Sequence, residues 1–162
     1  LFRADEIVSG LAEPLARRGG ILRMRVVIPN DMAKEGEPLF AAGAHYRSNI
    51  LFVQPAEGGV KFAFENYSLP RIESAPFVPS PDGHLLEFEM SSFNPEAYGI
   101  EATGDVIVRL DGREILRTKQ VGYHFPWGAE QIGRNPFGTT CGAEFRGWIL
   151  DARWINVSAP KT

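Results

Sequence analysis

The sequence predicts an all-β domain, an antiparallel two-sheet β-sandwich of jelly-roll type, on three observations. Apolar and polar residues alternate at the period of a strand in one run after another. Glycine and proline, 17 and 12 in number, separate those runs at short intervals. Helical periodicity is poor: only "DEIVSGLAEPLARR" offers a helical turn or two, and Gly10 and Pro14 interrupt it.

The chain of 162 residues reads as a single sandwich domain spanning residues 1–162, with residues 1–20 as an irregular or edge segment. Hydrophobic residues make up 44% and charged residues 23%, the balance of a folded chain with one core. No repeat, low-complexity tract or linker divides it.

"ILRMRVVIP" (21–29) is the first expected strand, with Leu22, Met24, Val26 and Ile28 alternating against Arg23 and Arg25. "DMAKEGEP" reads as a polar loop and "LFAAG" as a short strand. "NILFVQP" and "VKFAFEN" flank Glu57, Gly58 and Gly59 as a hairpin, with Val60, Phe62 and Phe64 on one face and Lys61 and Glu65 on the other. After the proline-rich "APFVPSPDG", the run "HLLEFEMSS" sets Leu86, Phe88 and Met90 against Glu87 and Glu89. "DVIVRLDGREILRTKQV" predicts two strands joined at Asp111-Gly112, a dipeptide suited to a primed turn. "FRGWILDARWINV" is the closing strand, with Gly147 expected at a bulge or a close backbone approach and Trp148 and Trp154 expected in the core.

The run "QIGRNPFG" (131–138) followed by "FRGWILDARW" (145–154) resembles the concanavalin A-like lectin/glucanase superfamily, in particular its bacterial laminin G-like branches. The "LRMRVVIP" strand, the paired "ILFVQ" and "VKFAFEN" strands and the "VRLDGREIL" hairpin agree in order, so the resemblance covers roughly residues 20–156. It implies a β-sandwich scaffold that hosts lectins, hydrolases, lyases and adhesion modules. Related sandwiches often carry a structural calcium, and here Asn30, Asp31, Glu35, Glu37 and Asp151 supply oxygen ligands, although no motif selects among them. A solvated acidic loop is the expectation for that stretch.

A formal net charge of −3, with no basic run longer than Arg17-Arg18, argues against a nucleic-acid surface. No apolar run is long enough to span a bilayer as a helix. The chain starts without Met and without a signal-peptide pattern, and is expected to be a piece of a longer, extracytoplasmic (periplasmic, cell-surface or secreted) protein. The single cysteine, Cys141, makes no internal disulfide.

As a nucleophile Cys141 would need a base within reach, and His45, His84 and His124 are all remote in sequence. A small buried corner cysteine is expected instead. Cys-x-x-Cys and His-x-x-x-His spacings are absent, so no cysteine or histidine metal site and no cofactor is expected. Glu87 and Glu89 would project from one strand face about 7 Å apart, near the separations used by glycosidases. Glucanases of the resembled superfamily carry a Glu-x-Asp-x-x-Glu strand, and Ser91 and Ser92 stand where a third acid is wanted. A lyase reading draws on Tyr123, His124, Gln131, Arg134 and Asn135, but neighbours on a strand face opposite sides.

A binding site for sugar needs an aromatic platform for the ring's C–H face and planar polar groups for the hydroxyls. Tyr123, Trp127 and Phe137 lie among Glu130, Arg134 and Asn135, and "AHYRSN" adds Tyr46 and Arg47 at a strand end, as "ENYSLPR" (65–71) adds a similar mixture. The candidate ligand-binding residues are therefore Tyr46, Arg47, Tyr123, Trp127, Arg134, Asn135 and Phe137. The expected function is a non-catalytic carbohydrate-binding module with a glycan or polysaccharide as partner, part of a larger cell-surface or glycan-processing protein. The alternatives are a small polysaccharide hydrolase or lyase of the same fold, and a protein–protein adhesion module. Two N-glycosylation sequons, at Asn66 and Asn156, are short enough to arise by chance.

Overall fold

Leu22, Met24 and Val26 are fully buried while Arg23 and Arg25 on the same strand reach solvent, and that alternation recurs through the protein. The structure is a computed structural model, which describes residues 20–93, 101–126 and 128–155. The expected helical turn within residues 5–18, Trp127 and the Asn156 sequon lie outside the described residues.

Ten strands follow in order: β1 (Ile21–Val27), β2 (Glu37–Ala44), β3 (Arg47–Ala56), β4 (Gly59–Asn66), β5 (Ile72–Glu73), β6 (His84–Glu89), β7 (Glu101–Leu110), β8 (Arg113–Tyr123), β9 (Gln131–Ile132) and β10 (Trp148–Ile155). They form two five-stranded antiparallel sheets, β10-β1-β6-β7-β8 and β5-β4-β3-β2-β9. The inner faces interleave in one core containing Phe40, Phe62, Phe64, Phe88 and Phe93 together with aliphatics of both sheets. The Phe40, Phe88 and Phe93 rings meet edge to face at 5.1–5.4 Å, and Phe93 meets Trp154 in the same way at 4.6 Å. A fully buried phenylalanine stabilises by about 2–3 kcal/mol, so these rings carry much of the sandwich. The all-β sandwich is thus the fold.

Both hairpins form where the glycines place them. Ala56 pairs with Gly59 around Glu57 and Gly58, and Leu110 pairs with Arg113 around Asp111 and Gly112. Asp111 and Gly112 have φ of 51° and 79°, the left-handed pair that a type I′ turn requires.

Three local features differ from expectation. The run "LFAAG" belongs to an eight-residue strand whose register slips between Pro38 and Phe40, so Leu39 and Phe40 both enter the core. The "HLLEFEMSS" strand stops at Glu89 and turns into a short 3-10 helix, Ser91–Phe93. That turn seats its serines on Gly104 and Gly122, where a Cβ would lie 2.7 Å and 2.8 Å from serine side-chain atoms. Of its two expected roles Gly147 takes the close approach: a Cβ there would stand 2.2 Å from the Val27 carbonyl oxygen. The bulge of β10 lies further on, where Asp151 (φ 51°) and Ala152 together face Met24. It shifts the parity of the strand, so that Ile149, Ala152 and Trp154 pack on the core and Trp148 is only half-buried outside that cluster.

The middle strands of the second sheet are buried on both faces. Ser48 to Gln54 are all buried, because the segment from Gly133 to Arg146 crosses the outer face. "ILFV" is the continuous apolar run such a strand demands.

Candidate functional site

The crossing segment contains three of the candidate residues. It is tied down by backbone bonds from the Gly133 N–H to the Leu39 carbonyl and from the Gly142 N–H to the Gly36 carbonyl, and it closes on itself through the Asn135 N–H and the Ala143 carbonyl. Asn135 is buried and its side chain is occupied within the loop. Its Nδ2 donates to the Thr139 and Cys141 carbonyls at 2.7 and 3.2 Å, and its Oδ1 accepts the Phe137 N–H at 3.1 Å. Phe137 lies with Cys141 on Ala41, Ile50, Phe52 and Ala63, so it covers the sheet. Arg134 is exposed at the foot of the loop, beside its ladder partner Glu144.

Arg71 clamps the far side of this cover. Its guanidinium lies 4.9 Å above the Phe52 ring, donates to Glu65 Oε2 (2.9 Å) and Gln54 Oε1 (3.2 Å), and reaches the Thr140 carbonyl at 3.3 Å. The Thr140 hydroxyl donates to the other oxygen of Glu65 at 2.7 Å. Beneath the cover, burial pushes the Cys141 thiol up to about 12, which leaves almost no thiolate near neutral pH. Cys141 sits in the loop corner, partly buried where a fully buried residue was expected.

The acidic loop before β2 is closed by an arginine. Glu37 is buried and accepts from the Ala33 N–H (3.2 Å), the Arg146 N–H (2.9 Å) and Arg146 Nε (2.7 Å). The Arg146 guanidinium also donates to the Asp31 carbonyl. Asp151 stands by Arg153 instead, at 3.8 Å. Among the described residues no group of three or more histidine, cysteine, aspartate or glutamate side chains is placed to hold a metal.

The outer face of the first sheet carries Glu87 and Glu89, each held by an arginine of the next strand. Arg23 donates to Glu87 at 2.6 and 2.8 Å and Arg109 to Glu89 at 3.1 Å. Arg117 bridges Asp105 and Glu114 beyond them. These pairs knit β1, β6, β7 and β8 together and engage one oxygen of each of the two carboxylates. His84, buried at the other end of β6, donates through Nδ1 to Asp111 (2.6 Å), while its Nε2 accepts the Ser80 N–H (2.8 Å). Both ring nitrogens are engaged, so this histidine–aspartate pair ties a loop to a hairpin.

Tyr46 and Tyr123 come together at the end of the sandwich where β2 turns into β3. The turn is tight because Gly43 (φ 113°) lets the chain approach itself; a Cβ would lie 2.0 Å from the Arg47 carbonyl oxygen. At its tip His45, Tyr46 and Arg47 are exposed, Tyr46 to 68%. The Tyr46 ring meets His45 edge to face at 4.7 Å and Tyr67, at the end of β4, at 5.3 Å. The Tyr123 hydroxyl donates to the Tyr67 carbonyl at 3.4 Å, and Gln120 Nε2 reaches the Pro70 carbonyl at 3.4 Å. Beneath the rings, Asn49 bonds both backbone groups of Tyr123 and accepts Asn66 Nδ2 at 2.7 Å. Asn66 is fully buried, so its sequon is no acceptor in the folded protein.

The candidates thus separate. Tyr46, Arg47 and Tyr123 share one end, Asn135 and Phe137 form the cover, Arg134 stands at its foot, and Trp127 is outside the described residues. Exposed His45 and half-buried Tyr67 complete the ring cluster around Tyr46. They sit in the stretches "AHYRSN" and "ENYSLPR", and the pairing of β3 with β4 is what makes them neighbours. Glu130 is buried: its Oε2 accepts the Gly128 N–H at 2.9 Å, and its Oε1 has no hydrogen-bond partner among the described residues.

The arrangement defines an antiparallel β-sandwich with an aromatic cluster at one end. No protein-family model matches the sequence, and none of the curated proteins matches it. Among the described residues no helix is long and apolar enough to cross a membrane.

Proposed function

We propose that the protein is a non-catalytic carbohydrate-recognition module of the concanavalin A-like, laminin G-like kind, acting outside the cytoplasm as part of a larger protein. The observation that carries this reading is the exposed ring of Tyr46, held edge-on by both His45 and Tyr67 at the tip of the β2–β3 turn. A large ring fixed by its neighbours and open to solvent suits stacking on the C–H face of a sugar, because little side-chain entropy remains to be lost on binding. Arg47 beside it supplies planar donors for ring hydroxyls. The arginine pairing of Glu87 and Glu89 and the high thiol of Cys141 favour recognition over hydrolysis.

A glycan array with the purified domain, followed by a reducing-end release assay on each positive polysaccharide, tests the reading. Binding without release is expected, and Tyr46→Ala should abolish it while leaving the thermal melt unchanged. Release of reducing ends from several substrates would replace a module by an enzyme.

A further inference from the structure

Most charges on the outer face of the first sheet are matched. Glu87 is held by Arg23, Glu89 by Arg109, Asp105 and Glu114 by Arg117, and Asp151 stands beside Arg153. Arg25, exposed on β1, is different: among the described residues no acid pairs with it and no acceptor takes its guanidinium. Its ladder partners are leucines on both sides, Leu150 of β10 and Leu85 of β6. Residues directly opposite in a ladder, and residues two apart on a strand, share a face. Val27 and its partner Trp148 therefore continue the same strip. Leu85 is 37% exposed, and Val27, Trp148 and Leu150 are half-buried. The strip lies where β1 ends and where β6 and β10 begin. Residues 1–19, 94–100 and 156–162 join the sheet at its other end, through Ile21, Glu101 and Ile155.

We infer that this strip docks a segment of another protein that presents a carboxylate between apolar side chains; the inference is independent of the glycan reading. Arg25 takes the carboxylate with two parallel donors, and Leu85, Leu150 and Trp148 take the apolar neighbours. A charge-assisted bond of that kind is about twice as strong as one between neutral groups. Covering the flanking leucines excludes water and strengthens it further. Tryptophan and arginine are also the residues that most often dominate binding energy at protein interfaces. Charge complementarity argues against a second copy of this chain as the occupant. Two copies meeting strip to strip bring Arg25 toward Arg25, and the acids of this face are already held by arginines. Asp111, next to Leu85, is held by His84 and by the Leu85 N–H. The carboxylate therefore comes from a different protein.

Short synthetic peptides with a central glutamate, glutamine or lysine, flanked by leucine or by serine, test this when titrated with the purified chain and followed by fluorescence anisotropy. Leucine-flanked glutamate peptides should bind about tenfold more tightly than their glutamine counterparts, and lysine peptides should not bind. Arg25→Gln should erase the glutamate advantage. Leu85→Ser should weaken the leucine-flanked peptides whatever their centre, and both variants should keep the parent's melting temperature. Equal binding of glutamate and glutamine peptides, an advantage that survives Arg25→Gln, or binding of no peptide overturns the inference. Sedimentation of the parent over a range of concentrations completes the test. A monomer throughout is expected; a dimer dispersed by Arg25→Glu assigns the strip to a second copy and overturns the partner.

Discussion

The carboxamide of Asn49 takes hold of the backbone of Tyr123 on both sides, its Oδ1 accepting the N–H at 2.8 Å and its Nδ2 donating to the carbonyl at 2.8 Å. Asn49 belongs to β3 in one sheet and Tyr123 ends β8 in the other, so a single side chain imitates a strand neighbour across the sandwich. Asn66, also buried, donates to the same Oδ1 at 2.7 Å.

Asn49→Ala leaves the Tyr123 N–H and carbonyl and the Asn66 amide without these partners. Unsatisfied buried groups cost about 1–3 kcal/mol each, so a loss of about 3 kcal/mol is expected. In a domain of this size that lowers Tm by roughly 6–12 °C. Urea denaturation and a thermal melt measure it. A variant as stable as the parent would show that the bridge contributes nothing.

Burial pushes the Glu130 carboxyl above its ordinary 4.5, outweighing the bonds it accepts from the Gly128 N–H and its own backbone. A raised carboxyl binds its proton more tightly folded than unfolded. Its contribution to stability is therefore complete below about 4.5 and is lost as pH rises through the higher folded value. Glu130→Gln removes the neutral-pH penalty: Tm should rise by a few degrees at pH 7 and match the parent at pH 4. Melts that differ equally at the two pH values would show the effect to be packing alone.

The thiol of Cys141, near 12 instead of 9.0, carries about a thousandfold less thiolate at neutral pH than an ordinary cysteine. Labelling by a disulfide reagent at pH 8 should be slow in the native protein and fast in urea. Phe137→Ala opens the hydrophobic cover over Ile50 and Phe52 and should accelerate the native reaction. Equal rates in variant and parent would show that Phe137 does not guard the thiol.

Strand existence was legible because burial on one face leaves a period-two trace, as in β1 and β6, and because a primed turn demands residues that tolerate positive φ, as Asp111-Gly112 does. The bulge of β10 left no such trace. It arises at Asp151, an ordinary acidic residue, because two residues of β10 must share Met24, and it reverses the facing of everything after it. The candidate site was legible only in part. Tyr46, Arg47 and Tyr123 could be named as aromatic and polar residues near strand ends, whereas Phe137 and Asn135 have the same composition and serve instead to cover the second sheet.

From the sequence alone come the long strands, their turns and the all-β class, since each depends on residues close together in the chain. Tertiary structure decided which aromatics are exposed. Tyr46 and Tyr67 lie far apart along the chain and become neighbours because β3 pairs with β4, while Phe137 is folded against Phe52 by a loop that Asn135 and Arg71 pin down. A ring at a strand end buries itself wherever an apolar face lies within reach. The outer face of the second sheet supplied one for Phe137 and left Tyr46 in solvent.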